Sequence, residues 1–260
     1  MKIAVYQMSA AVDPEQRMTL VQRAMREAAD NGADMLVAPE LALSGYGRGA
    51  SLRSIAQPAD GMWVRQLQKS VSELGVSLVV GFPERDGDDC YISALAIGRE
   101  DHGNPHVYRK GQLYGDYEKS LFQTCGPSTM LVDMHGFKLG FLICYDIEFP
   151  ENVRRLALAG AEAVIVPTAL PKGHSGAFIA RHVVRVRAFE NHVFVVYADH
   201  ADADDRFEYQ GLSSIVAPDG EVLASAPLTG EALIYARLNP NAYAQTRVDN
   251  PYLVDVECLS

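Results

Sequence analysis

The stretch Asn31-Gly-Ala-Asp-Met-Leu-Val-Ala-Pro39-Glu40 has an echo further along the chain, Ala159-Gly-Ala-Glu-Ala-Val-Ile-Val-Pro167-Thr168. Each reads as a helix end, a glycine, an acid, an apolar strand, a proline and a polar residue. Glycine just past a helix is a stop signal. A short apolar run closed by proline reads as a buried strand that cannot continue its ladder. Two such units predict an α/β chain of two related halves, with Glu40 and Thr168 ending equivalent strands across a pseudo-two-fold axis.

The rest of the pattern fills in both halves. In the first, strands are expected at Lys2–Gln7, Met35–Pro39, Val76–Phe82, Tyr91–Gly98 and His106–Arg109. Asp13-Pro14-Glu15 is a helix start, an acid at the cap followed by proline at the first position. Leu20, Val21, Ala24, Met25 and Ala28 then recur at helical spacing, and Met62–Leu74 reads as a second helix. The second half repeats the plan with strands at Lys138–Cys144, Ala163–Pro167 and Val193–Ala198 and helices at Glu151–Ala159 and Phe178–Asn191. Ser213–Ala217 and Glu221–Ser225 flank Pro218-Asp219-Gly220, a hairpin signal. Leu233–Leu238 is the last expected strand. No linker divides the chain, so residues 1–260 read as one domain. Its tail, 239–260, has little regular pattern and is expected to dock on the body or on a partner subunit.

Composition removes several function classes. The formal charge is -10, opposite in sign to the basic patch of most nucleic-acid binders. No run approaches the ~18 apolar residues of a membrane span. Met1–Gln7 is too short an apolar stretch for a secretory leader, so a cytoplasmic location is expected. Cys90, Cys125, Cys144 and Cys258 are scattered without a Cys-x-x-Cys pair. They are expected as free thiols, not as a zinc site. The histidines show no ligand spacing either, so no metal is expected.

Three segments end in reactive groups: Leu36–Glu40, Val107–Lys110 and Phe137–Cys144. A cysteine at the mouth of a buried strand, just before a turn into a helix, is where α/β enzymes present nucleophiles. A thiol attacks only as thiolate and needs a base within reach. Glu40, after a buried strand and a proline, suits a desolvated carboxylate with a raised pKa. Lys110 suits a cation that holds developing negative charge, and the N–H of Tyr145, next after the cysteine, suits a second oxyanion donor. Taken singly, each has a plainer reading: a packed thiol, a surface acid, a solvated strand-end lysine.

Three blocks in order make the combination specific: Ala38-Pro39-Glu40-Leu41 with Ser44-Gly45-Tyr46; Tyr108-Arg109-Lys110 with Leu113-Tyr114-Gly115; and Cys144-Tyr145-Asp146 with Phe149-Pro150-Glu151. In these the chain resembles the nitrilase superfamily, the carbon-nitrogen hydrolases, over nearly its whole length. The resemblance implies a four-layer α-β-β-α sandwich, commonly paired into homodimers or larger homo-oligomers. It also implies a Glu-Lys-Cys triad without metal or organic cofactor, falling on Glu40, Lys110 and Cys144. A second glutamate that many members carry maps to Glu118, with Asp116 in reserve because Thr124-Cys125-Gly126-Pro127 departs from the usual Pro-Gly. Tyr46, Tyr145, Thr168 and Ala169 are the candidate substrate-binding residues.

Cys-Tyr-Asp, in place of the Cys-Trp-Glu of true nitrilases, resembles the small bacterial amidases acting on aliphatic or amino-acid amides. The expected partner is therefore a small-molecule amide, with no nucleic acid and no membrane. Hydrolysis of N-carbamoyl amines is the alternative activity, ahead of nitrile hydrolysis or a catalytically silent scaffold. No motif assigns an acidic pocket residue; Asp202, Asp204, Asp205 and Glu208 are the acids of the loop after His200.

Overall fold

The computed structural model describes residues 1–99 and 105–256. Cys258 and the end of the tail lie outside the described residues. The first half begins with β1 (Lys2–Ser9), whose outgoing chain makes a turn at Pro14–Gln16 and enters α1 (Arg17–Asp30). Then follow β2 (Met35–Val37), α2 (Ser51–Ile55), α3 (Met62–Leu74), β3 (Ser77–Asp86), β4 (Asp89–Ile97), β5 (Pro105–Arg109) and α4 (Gly115–Leu121). The second half holds β6 (Leu131–Met134), β7 (Phe137–Phe141), α5 (Pro150–Leu158), β8 (Ala163–Pro167), α6 (His174–Phe178), α7 (Val184–Asn191) and β9 (Phe194–Ala198). β10 (His200–Ala201) precedes the hairpin β11 (Ser214–Val216) and β12 (Val222–Ser225). β13 (Ala232–Arg237), α8 (Ala244–Asp249) and α9 (Tyr252–Asp255) complete the chain.

Two sheets result. One has the order β10-β1-β2-β3-β4-β5, with β13 also pairing with β1; the other has the order β12-β11-β9-β8-β7-β6. The sequence echo is visible as register. Met35 of β2 pairs with Ile3 on one side and Ser77 on the other, all parallel. Its counterpart Ala163 of β8 pairs with Leu139 and Phe194, also parallel. β13 lies antiparallel on β1 as β6 lies on β7.

Strand alternation sorts side chains into layers, because successive residues point to opposite faces. Ile3, Val5, Met35, Val37 and Val79 join the core shared with the second sheet. Their neighbours Ala4, Tyr6, Leu36, Leu78 and Val80 pack instead against Val21, Ala24, Met25 and Ala28 of α1 and Val64, Leu67 and Val71 of α3. α5 and α7 cover the second sheet, and the arrangement is the four-layer α-β-β-α sandwich. Close packing is steric as well as apolar. A Cβ on Gly140 of β7 would lie 3.0 Å from Leu156 of α5.

Three local expectations change. The strand before Cys144 stops at Phe141, and Cys144 instead opens a 3-10 turn, Cys144–Glu148. The helix expected from Phe178 starts at His174 and passes through a π-helical stretch, Ile179–Val183. The tail is partly helical. It packs Tyr243 edge-on to Phe194, and Tyr252 against Phe189 and His192 of the same chain.

Candidate active site

Each of three loops is pinned by the chain around it. The Glu40 loop leaves β2 and lies directly on β3. A Cβ on Gly81 would sit 2.6 Å from Glu40 Cα, so glycine is what permits this approach. Gly81 N–H donates to Pro39 O at 3.0 Å and Glu40 N–H to Thr168 O at 3.3 Å, joining the two equivalent strand ends. Leu41 adopts φ 49°, a left-handed conformation rare outside glycine. His200 Nε2 lies 2.8 Å from Glu40 O. A carbonyl only accepts, so this nitrogen carries the proton. Burial pushes His200 down to about 4, so the ring is a neutral positioning group.

Lys110 continues the β4–β5 ladder, its N–H donating to Ile92 O at 2.8 Å. Thr124 Oγ1, in the segment that departs from the family pattern, donates to Lys110 O and Gly111 O at 3.0 and 2.7 Å. Cys144 has φ 46°. Strain of this kind persists only when the surroundings over-determine it, and Asp146 does so. Its carboxylate accepts from Ile143 N–H (3.0 Å), Gln112 N–H (2.8 Å) and Tyr108 OH (3.0 Å). One buried side chain thereby ties the cysteine turn to the segment after Lys110. From the outer side Arg187 donates to the carbonyls of Ile147 and Glu148 at 2.9 and 2.7 Å.

The reactive groups meet at the ends of these loops. Lys110 Nζ donates to Glu40 Oε1 and Glu118 Oε1, both at 2.7 Å, and all three side chains are fully buried. Glu118, in α4, also accepts from Tyr46 OH and Tyr114 N–H at 2.7 Å each. Glu118 thus takes the second-carboxylate place. Asp116, two residues earlier on α4, makes no ion pair with Lys110. Burial pushes Glu40 up to about 7 against the opposing pull of Lys110. Burial, with the negative charge of Glu40 added, holds the Cys144 thiol well above its ordinary value. Burial pulls Lys110 down, but Glu118 and Glu40 outweigh it and hold its ammonium well above the usual lysine range. Charge on this cluster is therefore one cation between two carboxylate sites, beside a neutral thiol.

Cys144 and Glu40 interact side chain to side chain. The contact falls short of a full hydrogen bond, and Glu40 Oε2 is left without a partner. Cys144 opens onto a cavity of about 330 Å³, with Tyr46, Tyr145 and Ala169 also on its wall. Ala169 additionally offers its backbone N–H to the cysteine. Thr168 departs from expectation. Its Oγ1 turns back to Val166 O at 3.1 Å, and it supports the Glu40 loop through its carbonyl instead of lining the cavity. Sequence reasoning missed Asp146 and His200 as positioning groups. Asp146 had a signal, its place two residues after the cysteine. His200 had none.

Fold and cluster together define a carbon-nitrogen hydrolase. Residues 2–248 match that family, and the chain belongs to it. Within it, the chain is an amidase-like hydrolase of the nitrilase superfamily. It is 39% identical to a "hydrolase in pqqF 5′ region" of Pseudomonas protegens, over 98% of this chain and 88% of that one. It is 35% identical to the (R)-stereoselective amidase of a Pseudomonas species, over 85% of this chain and 79% of that one. An amidase structure from Nesterenkonia sp. superposes with a TM-score of 0.85 at 30% identity, covering 98% of this chain and 92% of that one. A variant of that amidase shows covalent addition of the acetamide moiety of fluoroacetamide at its active-site cysteine.

Proposed function

We propose that this chain hydrolyses a small aliphatic or amino-acid amide to the carboxylic acid and ammonia through a thioester on Cys144. The carrying observation is the buried cluster in which Glu40 keeps one oxygen unpartnered beside the thiol while its other oxygen is held by Lys110. A thiol pushed up by burial rests in its neutral form, so attack requires proton transfer at the same moment. Glu40, near 7, is matched to that task at neutral pH.

Cys144 Sγ attacks the amide carbonyl as its proton passes to Glu40 Oε2. Two of the three Lys110 N–H donors are engaged by carboxylates, which leaves the third for the oxyanion. The Tyr145 N–H, in the first turn after the nucleophile and without an intrahelical acceptor, is the second donor. A donor of this kind lowers the barrier by about 3 kcal/mol. Glu40 then gives its proton to the departing nitrogen, ammonia leaves and the thioester remains. Water, deprotonated by the same carboxylate, attacks the thioester, releases the acid and restores the thiol.

The test is ammonia release across a panel of aliphatic amides, amino amides, N-carbamoyl amines and nitriles, with Cys144→Ala alongside. Amides are expected to lead the panel and the variant to be inactive. Preference for nitriles, or robust hydrolysis by Cys144→Ala, would overturn the reading.

A further inference from the structure

The turn that carries Tyr46 has two faces. Tyr46 itself stands on the wall of the cavity that holds Cys144. Its neighbours Gly45 and Gly47 stand on the wall of a second cavity, of about 500 Å³, with Arg17, Arg48 and three acids. No group of the catalytic cluster reaches this second space.

Arg17 opens α1 and is only 2% exposed. A guanidinium carries five N–H donors and keeps its charge when buried. Nη2 of Arg17 donates to Ala10 O at 3.0 Å, and Nη1 has only the sulfur of Met8 at 3.7 Å, a weak acceptor. Nε has no acceptor, and no carboxylate pairs with Arg17 among the described residues. Gly45 lies directly against the group, since a Cβ there would sit 3.0 Å from Nε. Burial pulls Arg17 below the usual arginine range, with Tyr209 and Asp204 opposing and Arg48 adding to the pull.

The acids on the same wall do not supply the missing counter-charge. Asp204 accepts from Gly47 N–H at 3.0 Å, Tyr209 OH at 2.5 Å and the N–H groups of Arg206 and Phe207. Asp13 accepts from Glu15 N–H at 3.0 Å, and both it and Asp205 are exposed, where water screens them. Arg48 is exposed as well, and its side chain makes no hydrogen bond or ion pair among the described residues. Two guanidinium groups thus face one cavity, the buried one without a partner. A buried cation without a counter-charge is costly, and an anion offsets that cost. The positive end of α1, where Pro14 and Arg17 stand on the wall, favours the same sign of ligand.

We propose that Arg17 and Arg48 form a site for a small carboxylate, separated from the catalytic cavity by the Tyr46 turn. A planar, singly charged carboxylate matches the guanidinium fork, whereas the three acids on the wall disfavour a dianion. The bound group takes the place of the counter-ion that Arg17 lacks and packs against Gly45 and Gly47. Occupancy therefore steadies the turn whose tyrosine donates to Glu118 at 2.7 Å.

The test uses the full chain and acetate, exchanged for chloride at constant ionic strength. Calorimetry measures affinity and hydrogen exchange locates the ligand. Saturable acetate binding is expected, with slowed exchange at residues 45–49 and at the start of α1 and none at residues 169–176 of the catalytic cavity. Arg17→Met should abolish binding. Arg48→Gln, at an exposed position that the fold does not depend on, should weaken it at least about threefold, as one solvent-facing charge contact allows, and reads the site even where Arg17→Met does not fold. Absence of acetate binding, protection confined to residues 169–176, unchanged affinity in Arg48→Gln, or tighter binding of inorganic phosphate at pH 8 would each overturn the site.

Discussion

The end of β2 and the first turns of α4 deliver two carboxylates to the same ammonium, at the same 2.7 Å. Their surroundings differ. Glu118 is saturated: Lys110, Tyr46 and the Tyr114 N–H occupy both of its oxygens. Glu40 gives one oxygen to Lys110 and keeps the other bare beside Cys144. A saturated carboxylate holds geometry, whereas one with an unpartnered oxygen has somewhere to put a proton. Under the proposed mechanism, identical residue types at identical distances thereby take different roles, positioning for Glu118 and proton transfer for Glu40.

Replacing each in turn sharpens the contrast. Glu40→Gln removes the base and is expected to lower kcat/KM by about a thousandfold, within the range for a general base. Glu118→Gln spares the base. It should cost about 3 kcal/mol of stability, as breaking a buried ion pair does, with a smaller rate loss; denaturant melts and steady-state kinetics separate the two effects. Equal rate losses in both variants would break the comparison.

The pH profile is the second lever. The base must be deprotonated, so kcat/KM should rise with pH through about 7, as an apparent value for the coupled cluster. The negative charge of Glu118 raises Glu40. Its removal in Glu118→Gln should move the acid limb to lower pH, and an upward shift would contradict the assignment. Asp146→Ala strands buried donors on Ile143 and Gln112 and is expected to cost about 2 kcal/mol, seen as a lower melting temperature. Tyr46→Phe deletes one donor to Glu118 and should lose about 1 kcal/mol of stability while leaving the acid limb in place.

The pattern of apolar strands, and the echo between residues 31–40 and 159–168, carried the layered fold because burial on both faces of parallel strands leaves a local signature. Glu40 and Cys144 were legible because each comes soon after such a strand, and Lys110 because it ends the half-buried antiparallel edge strand β5. What stayed hidden depends on contacts between distant segments. Nothing near His200 shows that its ring reaches the Glu40 carbonyl. Thr168 occupies the place equivalent to Glu40, yet its hydroxyl turns to its own strand. The left-handed backbone at Cys144 also escaped the pattern, because a non-glycine residue in that conformation is held by its surroundings and not by its own preference.

The proton-transfer role proposed for Glu40 and the nucleophilic role proposed for Cys144 meet in one observable, the acyl-enzyme. The protein is mixed with an amide substrate, quenched in acid, and analysed by intact mass and peptide mapping. An added acyl group on Cys144 is expected, gaining in occupancy in Glu40→Gln when a more reactive acyl donor bypasses the first proton transfer, because that variant lacks the base for deacylation. Acylation at another residue, or turnover in Cys144→Ala, would contradict the account.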